Sequence, residues 1–386
     1  MTTIVPTSLA EPRFLGVGDT ETLKAEIRSM LSANNFFQLN FDAPWLERIF
    51  VAYQQPHRYF HTLNHLFEIC RLICKFGLGR QSTAELLLVA LFHDVYWYPQ
   101  DTKNEENSAR VFDLMQPAMG NTLPEDARKA VREIIISSKG QKAISPIARR
   151  FHECDCDVLL HGSPVDLLAY EFQIFREFQG LNMVEYRKGR EGFFNRFSRR
   201  FPECKANMRF LVEYLERRRP RVGIYAGSFN PFHVGHMAIL QKAELMFDKV
   251  IVAVGINPEK NLPGSKSLVG DANALQVREL LPFHEVIFFD NLMVDLLDKE
   301  SEFCDVTLVR GLRNGYDLDY EMSQQCFMQE MRPETHSVYI PCDKSLEHIS
   351  SSALRGLRHF DCHGKEQIYF PHLYDYYNQS IEELFL

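Results

Sequence analysis

The chain has 386 residues, of which 45% are hydrophobic and 24% charged, ordinary proportions for globular protein and length enough for two or three domains. A net charge of −8 gives no reason to expect a nucleic-acid or membrane partner, and no apolar run approaches the roughly 20 residues of a membrane span. Nine scattered cysteines without CxxC pairs argue for reduced thiols, and the first residues lack a secretory pattern, so a cytoplasmic location is expected.

Residues 1–20 read as a poorly structured, flexible terminus. From 21 to 219 the apolar residues recur at helical spacing: Leu63, Leu66, Phe67, Cys70 and Ile73, then Leu86 to Phe92, then Leu167, Leu168, Phe172 and Phe175. This half is expected to be all-α. The run Arg217-Arg218-Arg219-Pro220 closes it, because proline cannot continue a helix. From 220 to 386 short β-branched runs alternate with helical patterns. The candidate strands are Val222–Tyr225, Val250–Val254, Val286–Phe289, Val306–Val309 and Val338–Ile340. Such alternation predicts βαβ units and a parallel, Rossmann-like sheet. The fold class expected is therefore two domains, all-α followed by α/β.

In the helical half, His93-Asp94 ends a strongly apolar helix, where an unpaired carboxylate is costly and a divalent cation would satisfy both groups. His61 and His65 share a helix face, and Asp155-Cys156-Asp157 adds carboxylates further on. Mixed nitrogen and oxygen ligands suit manganese, iron, zinc or magnesium. Five blocks stand in order: Phe60-His61-Thr62-Leu63-Asn64-His65; Phe92-His93-Asp94-Val95-Tyr96 with Pro99; Asn104-Glu105 with Ser108-Ala109; Asp155-x-Asp157-Val158 with Gly162; and Gly189-Arg190. Over about residues 40 to 205 they resemble the HD-domain metal-dependent phosphohydrolases. The resemblance implies hydrolysis of a phosphomonoester or phosphodiester by metal-bound water. The ligands it implies are one histidine of the pair His61 and His65, with His65 preferred, then His93, Asp94, and one aspartate of 155 and 157, with Asp157 preferred. Glu105 would lie in the outer shell or orient water, and Arg190 would meet a substrate phosphate. The further histidine that such domains often carry is missing from Ile136-Ser137-Ser138-Lys139-Gly140, which counts against a second metal.

In the α/β half, Val222 to His236 reads VGIYAGSFNPFHVGH. A strand breaks at Gly227-Ser228, Phe229 follows, and His233 and His236 flank the start of a helix. Free N–H groups and the helix dipole favour an anion there. The stretch resembles the GSFDPxHxGH signature of the HxGH nucleotidyltransferases. The nearest likeness within them is pantetheine-phosphate adenylyltransferase, from about Arg221 onward. Asn257-Pro258-Glu259-Lys260 resembles that family's NPSKK, Val309 to Arg313 its VRGLR, Asp317, Tyr320 and Glu321 its DxxYE, and Ile349 to Ser352 its ISSS.

The reaction this resemblance implies is attack by a substrate phosphate on the α-phosphorus of magnesium-bound ATP, catalysed by positioning and electrostatics. His236 would stabilise the α-phosphate. Lys260, Arg310 and Ser228 would hold the reacting phosphates, and Leu292 and Met293 would join them around the acceptor. ATP would also meet Gly227, Phe229, His233, Arg313, Tyr320, Glu321, Ser350, Ser351 and Ser352. A homo-oligomer, by the same likeness a hexamer, is expected. The acceptor end departs from the family: LFSxxER is replaced by Leu268 to Asn273, an aspartate by Asn291, and a leucine and an asparagine by Gln324 and Met328. ATP use is thus better supported than 4′-phosphopantetheine use. Two alternatives stay open: a nucleotide sensor with one or both sites non-catalytic, and another acceptor such as a nicotinate-type mononucleotide.

Overall fold

A computed structural model describes residues 19–138, 145–255, 266–357 and 364–386, with 266–272 as backbone only. The expected flexible terminus, Lys139-Gly140 and Lys260 therefore fall almost wholly or wholly outside the described residues. Among the described residues no helix is long and apolar enough to cross a membrane, and the cysteines are free thiols.

The first half is helical throughout. Its helices are α1 (Thr20–Ala33), α2 (Pro44–Ala52), α3 (Leu63–Lys75), α4 (Arg80–Phe92), α5 (Asn104–Met115), α6 (Glu125–Ser137), α7 (Pro146–Asp155), α8 (Asp157–His161), α9 (Pro164–Glu177), α10 (Met183–Arg200) and α11 (Lys205–Arg217). Local chemistry sets several starts. Pro44, Pro146 and Pro164 occupy first helical positions, where no N–H is needed, and Ser145 and Ser163 cap α7 and α9 through their hydroxyls. Most of these helices bury one stripe, but α4 is buried on every side from Thr83 to Phe92. A helix apolar all round belongs in the middle of a core. Its neighbours supply Trp45, Ile49, Leu66, Ile69, Phe112 and Ile135.

The second half alternates strand and helix: β1 (Arg221–Gly227), α12 (Val234–Glu244), β2 (Lys249–Gly255), α13 (Lys266–Leu280), β3 (Val286–Phe289), α14 (Met293–Ser301), β4 (Asp305–Leu312), α15 (Gly315–Met331), β5 (Ser337–Pro341), α16 (Ser351–Leu357) and α17 (Ile381–Phe385). Every expected strand is present. All pairings are parallel, in the order β3-β2-β1-β4-β5. The chain steps outward from β1 to β3, then returns to lay β4 on the other side of β1. That reversal opens a crevice at the C-terminal ends of β1 and β4, the usual ligand position in open parallel sheets.

The residues form two compact units, and the division departs from a single cut near residue 220 in two places. Gln179–Arg187 belongs with Arg217–Tyr377 in the sheet unit. Asn378–Leu386 belongs with the helical unit, where Ile381 and Phe385 join the core and Arg48 donates to the Phe385 carbonyl at 2.9 Å.

Candidate active sites

The crevice of the sheet unit holds a cavity of about 340 Å³ lined by Gly227, Ser228, Phe229, His233, His236, Arg310, Arg313, Tyr320, Glu321 and Ser350 to Ser352. They comprise every residue the sequence assigned to ATP and, of those assigned to the acceptor, Ser228 and Arg310. Leu292 and Met293 do not line it. Leu292 is the exposed residue before α14, 56% accessible.

The turn after β1 is tightly built. Phe229 takes a left-handed φ of +42°, and its ring lies so close to Gly227 that a Cβ there would sit 2.9 Å from it. Gly227 is therefore needed for close approach. Gly311 serves likewise at the end of β4, where a Cβ would come 3.0 Å from Ile239 of α12.

The backbone fixes the tautomers of both histidines. His233 precedes α12, and its Nδ1 accepts from the Gly235 N–H at 3.1 Å. His236 Nδ1 accepts from the His233 N–H at 3.2 Å, and the two rings stack at 3.7 Å. A neutral imidazole that accepts at Nδ1 carries its proton on Nε2. Each ring is thus a neutral Nε2–H donor beside the cavity. Burial, then Arg313, pushes His233 down to about 4, and burial, then His233 and Arg313, holds His236 well below its ordinary value.

The two arginines are held by acids of α15. Arg310 donates to Glu321 at 2.5 Å and to the Ala226 carbonyl at 3.0 Å. Arg313 makes a fork to Asp317, both bonds 3.0 Å. The serines hold α16 against the signature turn. Ser351 donates to the Pro231 carbonyl at 3.0 Å, while Ser350 accepts from the Ala353 N–H at 3.1 Å.

The helical unit has a larger cavity, about 420 Å³, lined among others by His61, His93, Asp94, Glu105, Asp155 and Arg190. His93, Asp94 and Asp155 of this lining, with His65, bring ligand atoms within 4.8 Å of one another. His93 Nδ1 lies 2.9 Å from the Ala90 carbonyl, which fixes a proton on Nδ1. Among the described residues its buried Nε2 makes no well-aligned hydrogen bond, although Asp94 is 3.0 Å away and Asp155 3.5 Å. Burial would lower the His93 pKa, but the two carboxylates outweigh it and raise it to about 10. Burial would raise Asp94, but His93 and His61 outweigh it and bring it to about 2. Two imidazoles and two carboxylates around an orphaned nitrogen are a donor set that fits a divalent cation of the manganese, iron or zinc kind.

The aspartate that meets the histidines is Asp155, not the preferred Asp157. Asp155 lies one turn after Phe151 and His152 on the buried face of α7, whereas Cys156 breaks the helix and Asp157 begins α8. His65 joins the cluster. His61 stands beside it, its Nε2 3.8 Å from Asp94 and its ring 3.8 Å from that of Trp97. Sequence reasoning missed what holds His61. Glu177 accepts the N–H groups of Tyr59, Phe60 and His61 on one oxygen, at 2.8–2.9 Å, and meets His61 Nδ1 at 2.6 Å on the other. The available signal was an acid among the apolar residues of α9. Arg190, expected to meet a phosphate, is buried and forked onto Glu171 at 2.7 and 3.0 Å.

A parallel sheet with neutral imidazole donors, paired arginines and serines around the cavity at its reversal point defines a nucleotidyltransferase. The cytidylyltransferase-like family model matches residues 224–357. The phosphopantetheine adenylyltransferase of Brucella anthropi is 36% identical over 138 residues, 35% of this chain and 82% of that protein. That of Bartonella quintana is 39% identical over 139 residues, 35% and 79%. That of Mycoplasma capricolum is 36% identical over 141 residues, 36% and 98%. Through its C-terminal half the chain belongs to the phosphopantetheine adenylyltransferase family.

Proposed function

We propose that the chain joins two enzymes. The sheet unit transfers the adenylyl group of ATP to a small phosphate-bearing acceptor, 4′-phosphopantetheine before others, giving dephospho-CoA and pyrophosphate. The helical unit is a metal-dependent phosphohydrolase of the HD kind. The observation that carries the first reading is the pair of neutral Nε2–H donors beside the cavity, backed by relatives that bear the name. Adenylyltransferases of this kind take ATP with magnesium.

In the transfer, an acceptor phosphate oxygen bonds to the α-phosphorus as the bond from that phosphorus to the bridging oxygen breaks, and pyrophosphate leaves with the electron pair. No side chain becomes covalently attached. His236 donates to the α-phosphate as charge gathers there, and Arg310, poised by Glu321, holds the reacting phosphates with Lys260 and Ser228. Arg313 and the serines of α16 take the β and γ groups. Donors aimed before reaction begins need no reorganisation in it.

The observation that carries the second reading is the orphaned His93 nitrogen facing two carboxylates. A divalent ion there would act as a Lewis acid and supply hydroxide near neutral pH. His61 is clamped by Glu177 and Trp97 next to the ligands, and Glu105 lies on the cavity wall where it can orient water.

Pyrophosphate release from ATP over a panel of acceptors tests the first reading. Turnover is expected with 4′-phosphopantetheine. Turnover with a nicotinate-type mononucleotide instead would move the acceptor, as the altered residues Asn291, Gln324 and Met328 allow. No release with any acceptor would leave a nucleotide sensor. Elemental analysis tests the second, with near-stoichiometric transition metal expected in the wild type and its loss in Asp94→Ala.

A further inference from the structure

Two residues lining the cavity of the helical unit, His152 and Arg200, each carry a buried nitrogen, Nε2 and Nη2, that no group among the described residues meets. His152 is only 1% exposed and stands one turn before Asp155 on α7, so the two share a helix face. Arg200 ends α10, and Arg196, one turn earlier, lines the same cavity. Burial, then Arg200, pushes His152 down to about 4, and burial lowers Arg200 while Cys156 and Asp155 oppose it.

A buried donor without a partner is costly, so a pair of them on residues that line one cavity marks the place of a ligand. A guanidinium accepts no hydrogen bond, so its missing partner must be an acceptor. The neighbouring Asp155 carboxylate belongs to the metal cluster, which would hold one side of a phosphoryl group. Arg190, the residue the sequence offered for phosphate, is already neutralised by Glu171.

We infer that His152 and Arg200 form an oxyanion site beside the metal cluster, which receives the phosphoryl oxygens that the metal does not hold. This inference rests on the metallohydrolase reading of the helical unit. It makes Arg200, not Arg190, the arginine that meets substrate, with His152 as its neutral companion donor.

Inorganic phosphate binding to the full chain tests it, by titration calorimetry with manganese and after chelation, alongside metal analysis. Arg200→Met and His152→Leu are expected to weaken phosphate about 10-fold or more, since each removes a bond to an anion, with manganese stoichiometry unchanged. His152→Gln, which keeps a donor nitrogen, should stay within a few-fold of wild type. Phosphate held by the sheet unit is common to all variants, so the difference between them reads this site. An Arg200→Met protein that binds phosphate within twofold of wild type overturns the inference. If His152→Leu loses its near-ultraviolet dichroism, Arg200→Met decides alone, because Arg200 is only half-buried. If the wild type takes up no manganese, the metallohydrolase reading falls, and the metal-free titration still decides. Phosphate binding that depends on Arg200 upholds the oxyanion site, and its absence removes it.

Discussion

An imidazole can present a donor or an acceptor to its surroundings, and beside the nucleotide cavity the backbone makes that choice. Because His233 and His236 each spend Nδ1 on a main-chain N–H, neither has a basic nitrogen for proton abstraction. In the proposed transfer, His236 would contribute a hydrogen bond that strengthens as charge builds on the α-phosphate. Replacing His236 by alanine should cut pyrophosphate release about 100- to 1,000-fold while ATP affinity stays within a few-fold, checked by a coupled assay and calorimetry. Arg313→Ala should show the reverse, weaker ATP binding with a smaller loss of turnover, because it meets charge present in the ground state too. The low pKa values give a pH prediction. Unfolded histidine takes a proton near 6.5, whereas folded His233 does so only near 4, so its share of stability is complete above 6.5 and is lost as pH falls toward 4. For the same reason kcat/KM should show no inflection near pH 6.5 from these two rings. A bell centred there, abolished in His233→Asn, would overturn the tautomer assignment.

At the scale of elements, each site is held by carboxylates of a neighbouring helix. The carboxylates of α15 hold Arg310 and Arg313 at the end of β4, and in the proposed transfer this helix would poise the two cations for phosphate. In the helical unit, α9 plays this holding part for α3. Glu177, 1% exposed, gathers three successive N–H groups ahead of α3 and fixes the direction in which His61 and then His65 leave the turn. Outer partners of this kind typically change metal affinity by about 10- to 100-fold. Glu177→Gln places an amide N–H among donors that need an acceptor, and should weaken manganese or zinc binding by at least 10-fold. Competition with a chelator measures it, and unchanged affinity in a protein with a wild-type melting curve would remove Glu177 from the site.

At the scale of the molecule, the C-terminal residues do not belong to the unit they follow in sequence. Ile381 and Phe385 are buried in the helical core, and Arg110 pairs with Glu382. Removing Asn378–Leu386 should destabilise the helical unit by about 3 kcal/mol or more, the worth of two large buried side chains. ATP binding by the sheet unit should persist. Calorimetric unfolding with ATP titration checks both, and a truncated protein that melts as the wild type does would show that the segment contributes nothing to that core. Light scattering checks the expected homo-oligomer in the same samples, a monomer across the micromolar range being the contrary result.

The sequence by itself determined whatever depends on local spacing. The five strands, the glycine turn with His233 and His236, the arginines at the end of β4 and the apolar α4 ending in His93-Asp94 were all legible, because each is a short run whose period or neighbours dictate its conformation. Only the tertiary structure could choose Asp155 over Asp157, because one residue at a helix end turns a side chain through about 100° and the break at Cys156 leaves no pattern to read. Only the structure paired Arg190 with Glu171, Arg313 with Asp317 and Glu177 with the His61 turn. It alone brought His152 and Arg200 to one cavity and returned Ile381 and Phe385 to the helical core. These are contacts between segments, many of them distant in the chain, and hydrophobic period, which reports a residue's own face, carries no information about which face it meets.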